Sequence, residues 1–222
     1  MPATPGDASP PRRRGRPARI DRARIVAAAR ELDPEQLTMQ AVAERLGVVR
    51  KALNYHVSDR EQLLELVALD ALQTELAQAP APDDTSWQQA IRSYAASARE
   101  AMVRTDTLFD YIRMPLTSGS ALLETTDGLY RTLRRAGFTV PQAGRTVGLL
   151  AELLVSSARD AILVRRHGVH PQITEVVNLF DGTPDDRLPG LREWAGWDGA
   201  GPGDEQLAFD LDVLIAGLER LL

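Results

Sequence analysis

The chain of 222 residues contains no cysteine, and aromatic residues make up only 5% of it. The lack of cysteine excludes disulfides, thiolate metal sites and cysteine nucleophiles, and it is typical of a reducing cytosol. Apolar runs such as VGLLAELLV at 147–155 are far too short to cross a bilayer. The first 18 residues also lack the apolar core of a signal peptide. We therefore expect a soluble, cytoplasmic protein.

Motifs of the common enzyme classes are missing as well. The sequence has no GxSxG, no phosphate-binding glycine loop and no HExxH. His167 and His170 have a ligand-like spacing, but Gly168 and Pro171 predict a turn there, and no third ligand is near. No cofactor or metal is predicted. The lack of motifs does not exclude catalysis. A helical dimeric adaptor, or a small-molecule-binding protein or enzyme without specific DNA binding, is therefore one possible function of the chain.

Charge, by contrast, is present and is unevenly distributed. Residues 1–60 contain 12 Lys and Arg against 7 Asp and Glu, whereas residues 61–222 contain 14 against 24. A basic first part on an acidic remainder indicates that only one end of the chain meets a polyanion. A charged, disordered tail produces the same excess, so the charge alone leaves both interpretations open.

Apolar residues recur at helical spacing through most of the chain, and no alternating strand pattern is present. Ser58-x-x-Glu61 and Thr85-x-x-Gln88 are possible capping boxes, and Thr38 is a possible N-cap. Residues 167–203 are rich in glycine and proline and are expected to be irregular, apart from one short helix. The predicted fold is all-α, with helices at about 19–32, 38–46, 49–55, 58–77, 85–104, 106–113, 119–136, 141–166, 172–180 and 204–222.

The stretch TMQAVAERLGVVRKALNYHVSD at 38–59 fits two helices joined by a tight turn. Ala43 is small where the second helix crosses the first, Gly47 tolerates a positive φ, and Leu53 anchors the second helix. Such a unit is a helix-turn-helix, whose second helix can lie in the major groove of DNA. A small corner of two helices without any DNA contact has the same spacing, and it remains the alternative on this motif alone.

The exposed face of that second helix combines residue types that bind base edges and phosphates. Arg and Lys donate to guanine or phosphate, Asn pairs with adenine, and Val contacts the methyl group of thymine. The candidate contacts in and after this helix are Val49, Arg50, Lys51, Asn54, Tyr55, His56, Ser58 and Arg60.

A second candidate contact is the arginine-rich segment RRRGRPAR at 12–19, which includes Arg14 and Arg16. Arginines inserted into a narrow minor groove bind its negative potential. A solvated tail that raises only the non-specific affinity is the alternative.

The residues at 37–67, LTMQAVAERLGVVRKALNYHVSDREQLLELV, closely resemble the N-terminal domain of TetR-family transcriptional regulators. FDLDVLIAGLERLL at 209–222 resembles the last helix of the tetracycline-repressor branch. The resemblance implies a three-helix helix-turn-helix DNA-binding domain at 19–66 and a larger helical ligand-binding and dimerisation domain at 67–222. These domains would follow a disordered basic arm at 1–18.

By position, the resemblance also implies DNA contacts for Thr38 and Gln40 at the start of the first motif helix. The chain departs from the family pattern at Ala52 and Asn54, where the family often has a hydroxyl and an aromatic residue, so no operator sequence is carried over. The implied function is a ligand-responsive regulator, by default a repressor, that binds a near-palindromic operator as a homodimer. A small-molecule effector would release it from the DNA.

The effector pocket of such a protein is expected to be apolar with a few polar groups. A place in the hydrophobic core is the alternative for most of the candidates. Glu152 and Arg159, seven residues apart, could orient a polar ligand or pair across a dimer, and simple solvation is the alternative. The pocket candidates are Trp87, Tyr94, Met102, Phe109, Tyr111, Met114, Tyr130 and Glu152.

The dimer contact is expected on the broad apolar stripes of the helix at 141–166 and of the last helix. Two such helices from each copy would form a four-helix, isologous interface. The alternative is that both stripes line the core of a single copy. The candidate dimer residues are Val147, Leu150, Leu154, Ala158, Leu214, Leu218 and Leu221.

Overall fold

The structure, a computed structural model, describes residues 20–78, 86–112, 121–184, 187–197 and 203–222. The regular elements in these ranges are all helical, which confirms the all-α prediction. Within these ranges, no helix is long and apolar enough to span a membrane. The helices are α1 (Arg22–Ala29), α2 (Met39–Arg45), α3 (Arg50–Leu53), α4 (Arg60–Gln78), α5 (Trp87–Thr105), α6 (Ala121–Arg135), α7 (Val140–His167), α8 (Pro171–Asp181), α9 (Pro189–Ala195) and α10 (Asp204–Glu219), with a 3-10 helix at Asp106–Tyr111.

Contacts divide the chain into two units, Met1–Leu63 and Leu64–Leu222, which we call the head and the body. The division falls inside α4. The predicted boundary after residue 66 lies on the same helix. The predicted basic arm at 1–18 lies outside the described residues.

The head encloses a small apolar core between short helices. Ala43 and Leu53 are completely buried, as expected for the crossing residue and the anchor of the motif. Gly47 has a φ of +68°, so it forms the turn between α2 and α3 in a conformation that side-chain-bearing residues rarely adopt. The local sequence therefore fixes both the angle of α3 and the face that α3 presents outward.

Capping side chains set where the helices begin. The hydroxyl of Thr38 accepts a hydrogen bond from the Ala41 amide at 3.1 Å, which confirms it as the N-cap of α2. The prediction for α4 was wrong by one residue, because the carboxylate of Asp59, not Ser58, accepts from the Gln62 amide. Likewise Ser86 caps α5, rather than Thr85. In both places the capping residue is the one directly after the predicted residue.

The core of the body forms where α5, α6 and α7 pack together, with α10 against α5. Alanines dominate the buried face of α5, which lets the larger side chains of α7 approach closely. Thr139 and Gln142 form a reciprocal capping box, so α7 begins at Val140 and continues for 28 residues. α7 is therefore the longest helix in the part of the chain that the structure describes.

The segment between α7 and α10 differs from the prediction. α8 lies close to the expected 172–180, but α9 (Pro189–Ala195) was not predicted. α9 has only seven residues and no buried side chain, so it leaves no apolar periodicity in the sequence. The expected helix at 106–113 is a 3-10 helix, Asp106–Tyr111, and it begins at a residue with a φ of +48°.

Candidate functional site

The solvent-exposed side of α3 in the head carries side chains that are predicted to contact DNA. α3 has only four residues, and Leu53 anchors it in the core of the head. Val49 and Tyr55 are 72% and 82% exposed, although both are large and hydrophobic. Arg50 and Lys51 are exposed beside them. The face thus presents two cations, an apolar side chain and a phenol to solvent.

Asn54 and Tyr55 lie after the last residue of α3, because the helix is shorter than the expected 49–55. Asn54 is the C-cap residue and is exposed. The Asn54 amide and the Tyr55 phenol therefore lie where the chain leaves α3, and not on the helix itself.

The residues at the start of α2 are also exposed, but their side chains already have partners. The Thr38 hydroxyl accepts from the Ala41 amide, which leaves its own proton available to a phosphate oxygen. The amide nitrogen of Gln40 donates to Glu44 Oε1 at 2.7 Å. A base contact by Gln40 would have to replace this bond.

Two exposed arginines donate hydrogen bonds to backbone carbonyl oxygens of the head. The Arg60 guanidinium donates to the carbonyl oxygen of Leu37 at 2.8 Å and to that of Pro34 at 3.2 Å. Arg22 Nε donates to the carbonyl oxygen of His56 at 3.3 Å, just after α3. The sequence gives no signal for these contacts, since each partner lies more than 20 residues away. A phosphate contact by Arg60 or His56 stays a prediction.

Ser58 donates its hydroxyl proton to the Asp59 carboxylate at 2.7 Å, so that hydroxyl is engaged within the head. Arg14 and Arg16 lie outside the described residues, and the same is true of Met114 among the pocket candidates.

Most of the predicted pocket residues are part of the packed core of the body. Met102 and Phe109 are buried, and Trp87 packs edge-on against Phe138 with 5.1 Å between the ring centroids. Tyr111 is half-buried, and Tyr130 packs on the same core. Trp87, Met102, Phe109 and Tyr130 thus contribute to the core, as in the alternative, and a pocket role for any of these residues stays a prediction.

Tyr94 joins two helices of the body through its side chain. Its hydroxyl shares a hydrogen bond of 3.0 Å with the Thr126 hydroxyl, which links α5 to α6. Burial raises the pKa of the Tyr94 hydroxyl above its ordinary value, and the hydrogen bond opposes that rise. The phenol therefore acts as a neutral group inside the body.

An open cleft of about 570 Å³ lies between α5 and α10 of the body. Three polar contacts join the two helices: Gln88 to Glu219 at 3.1 Å, Arg92 to Asp212 at 2.5 Å and Arg99 to Asp204 at 2.9 Å. Of the predicted pocket residues that the structure describes, none lines this cleft. The lining residues are Arg92, Ala96, Arg99, Glu100, Val103, Arg104, Asp204, Leu207, Ala208 and Leu211.

The dimer prediction was wrong for four residues. Leu150, Leu154 and Ala158 on α7 are completely buried in the core of the body, and Leu218 on α10 is buried too, so these side chains cannot contact a second copy. Val147 and Leu214 are half-buried and pack against the same core. Only Leu221 is largely exposed. The apolar stripes line the core of one copy, which was the alternative.

The opposite faces of α7 and α10 are exposed and contain small, apolar and charged residues. On α7 this face includes Leu149, which is 50% exposed, and two glycines at which an added Cβ would meet no atom within 4 Å. Glu152 and Arg159 are exposed on this helix as well. We call these residues the outward face: Gly144, Gly148, Leu149, Glu152 and Arg159 on α7, and Phe209, Val213, Ala216 and Gly217 on α10.

The two histidines after α7 have different surroundings. His170 is buried and caps α8, since its Nδ1 accepts from the Gln172 amide at 3.2 Å. Its Nε2 lies 3.3 Å from the Asp160 carboxylate. His167 is exposed. In the described part of the chain, no group of three or more His, Asp or Glu side chains is arranged to hold a metal ion.

Comparisons with known proteins agree with this architecture. Residues 79–222 match the family model of the tetracyclin repressor-like C-terminal domain. The class D tetracycline repressor protein of Escherichia coli is 26% identical over 224 residues, which cover 91% of this chain and 90% of that protein. Apo ActR from Streptomyces coelicolor has a TM-score of 0.71 at 25% identity, with 90% of this chain and 97% of that chain covered. A structure of ActR with actinorhodin has a TM-score of 0.67 at 22% identity, with 90% and 96% covered.

Proposed function

The chain belongs to the tetracycline-repressor family of ligand-responsive transcriptional regulators, which are not enzymes, and we propose that it represses transcription by binding a near-palindromic operator as a homodimer. The observation that carries this proposal is the outward side of α3. Arg50 and Lys51 stand together in solvent on a helix that a single buried leucine fixes in place.

Each exposed side chain of this region has a role that its chemistry allows. Arg50 and Lys51 donate to guanine edges or phosphates, and Asn54 pairs with adenine. Val49 and Tyr55 offer apolar surface to thymine methyl groups and sugar rings. Thr38 and Gln40 contact the DNA from the start of α2, whereas Arg60 and Arg22 hold the flanking backbone in position.

The dimer contact forms on the outward face of α7 and α10. Gly144 and Gly148 are four residues apart on one side of α7, so they let a second helix approach closely. In an isologous contact, Glu152 of each copy meets Arg159 of its partner, since a two-fold axis makes such pairs reciprocal. Two heads held in this way present two α3 helices to successive major grooves.

The effector acts by population shift. A small molecule that binds the body best in a conformer with the wrong spacing of the two heads lowers the affinity for the operator. The relatives support a small-molecule effector in kind, because ActR was solved with actinorhodin and a TetR of Acinetobacter baumannii with minocycline.

Fluorescence anisotropy against DNA from upstream of the chain's own gene tests the proposal, with scrambled competitor DNA and a salt titration. A good bidentate contact with a base contributes about 1–3 kcal/mol of specificity, so Arg50→Ala with Lys51→Ala should weaken specific binding by about a hundredfold. The matched control is Arg131→Ala with Arg135→Ala, which removes the same charge from exposed positions of the body. Equal affinity of the two double variants would contradict the assignment of α3.

A further inference from the structure

The cleft between α5 and α10 has the dimensions and lining of a small-molecule site. Its volume of about 570 Å³ falls in the range of ligand pockets. Half of its lining residues are apolar, and two of these, Ala96 and Ala208, are small and exposed. Charged side chains, three of them arginines, stand around it.

The three arginines differ in how water and the protein surround them. Arg92 is half-buried and Arg104 is exposed, and both pair with carboxylates. The side chain of Arg99 is only 16% exposed, and its Nε donates to the Ser157 hydroxyl of α7 at 2.9 Å. Arg99 is therefore a largely desolvated cation that a neutral hydroxyl holds in one orientation.

The charge of Arg99 is balanced from the solvent side. Its carboxylate partner, Asp204, is the first residue of α10 and has a side chain that is 90% exposed. A carboxylate so exposed is strongly hydrated, and its attraction to the cation is weakened by water. An anion that enters the cleft and loses its own water would interact with Arg99 more strongly.

We propose that this cleft binds a small molecule with a flat apolar body and one carboxylate group. The apolar body covers Ala96, Val103 and Leu207, and the carboxylate takes the place of Asp204 on the Arg99 guanidinium. A molecule of this class would be the effector of the proposed function. Only its identification as the effector rests on that function; binding to the cleft does not.

Isothermal titration calorimetry of the full chain without DNA tests the site, with naphthoate as the probe and the neutral naphthamide as its isostere. We expect naphthoate to bind and naphthamide to bind about tenfold more weakly, because the amide lacks the charge-assisted hydrogen bond. Arg99→Met should weaken naphthoate binding by a similar factor. Arg131→Met is the matched control and should change the affinity by less than about threefold, since Arg131 is exposed, pairs with Asp127 and does not line the cleft.

Two further variants separate a binding role of Arg99 from a merely structural one. Asp204→Asn should tighten naphthoate binding several-fold, because the anion no longer competes with a carboxylate. Ala208→Phe should abolish binding without unfolding the body, since Ala208 is exposed and its new ring fills the cleft. Circular dichroism and thermal unfolding show that each variant is folded.

The inference is overturned if naphthoate does not bind at millimolar concentration, if Arg99→Met binds as wild type does, or if Asp204→Asn weakens binding. It is also overturned if Ala208→Phe, while folded, binds normally. The DNA measurement keeps the two proposals apart. Specific DNA binding without naphthoate binding counts against the cleft alone, and naphthoate binding without specific DNA binding counts against the proposed repressor function alone.

Discussion

α3 of the head and α7 of the body show opposite relations between sequence pattern and exposure. The five side chains expected on the outward side of the α3 region are all exposed, whereas three of the four dimer residues expected on α7 are completely buried. α3 is so short that one inward leucine determines which residues point outward. α7 is 28 residues long, and its apolar stripe marks the core of its own copy. Any contact of α7 with a second copy therefore has to form on the exposed side of the helix, opposite the apolar stripe.

The strongest test of this difference truncates two neighbours on α7. Leu150 is completely buried, so Leu150→Ala leaves a cavity and should lower the free energy of unfolding by about 2–5 kcal/mol. Leu149 is half exposed, and Leu149→Ala should change that free energy by less than about 0.5 kcal/mol. Urea denaturation at protein concentrations below those of self-association measures both. Similar losses from the two truncations would show that the faces of α7 are misassigned.

In the head, the corresponding test is the turn before α3. Gly47 has a φ of +68°, and an added methyl group would meet no atom within 4 Å. Gly47→Ala should therefore cost about 1–2 kcal/mol, from backbone strain alone. Gly47→Asn should cost less, since Asn tolerates this conformation better. Thermal unfolding of both variants gives the difference, and a harmless alanine would mean that the turn does not fix α3.

A test inside the body concerns the buried phenol of Tyr94. At neutral pH, Tyr94→Phe removes the hydrogen bond to Thr126 and should cost about 1 kcal/mol of unfolding free energy. The folded pKa of Tyr94 is raised above the ordinary 10.0, so its contribution is fully present below that pH and is lost as the pH rises toward the folded pKa.

The difference between wild type and Tyr94→Phe should therefore narrow above about pH 10. Chemical denaturation between neutral and alkaline pH measures it. A difference that stays constant throughout would mean that burial does not control the ionisation of this phenol.

The smallest expected effect is that of Gly148→Ala, which should stabilise a single copy but weaken a dimer. Gly148 lies inside α7 with open space around it, so Gly148→Ala should stabilise a single copy by about 0.5–1 kcal/mol. If a second helix packs closely there, the added methyl group should instead weaken self-association by about tenfold, as overpacking does. Sedimentation equilibrium and urea denaturation measure the two effects. Unchanged self-association would place the dimer contact elsewhere.

The sequence was sufficient for the long helices and for the motif of the head. Ala43, Gly47 and Leu53 follow from local requirements, namely a small crossing residue, a positive φ and an anchor. It was not sufficient for α9, because a seven-residue helix that begins at a proline and buries no side chain resembles a loop.

The cleft of the body could not be predicted for a different reason. Arg92 and Arg99 look like solvated residues in the sequence of α5. Their carboxylate partners, Asp212 and Asp204, lie more than 100 residues further along the chain. Which arginine is desolvated depends on how α7 and α10 pack beside α5, and helical periodicity contains no information about that.

The way in which α3 is anchored has an evolutionary consequence. Leu53 and Gly47 hold the helix, whereas Val49, Arg50 and Lys51 project into solvent and bear little on whether the head folds. Under the proposed function, these outward positions can be exchanged one at a time while every intermediate remains folded. The DNA sequence that the head recognises can thus change without loss of the fold, whereas a substitution at the completely buried Leu150 disturbs the core of the body.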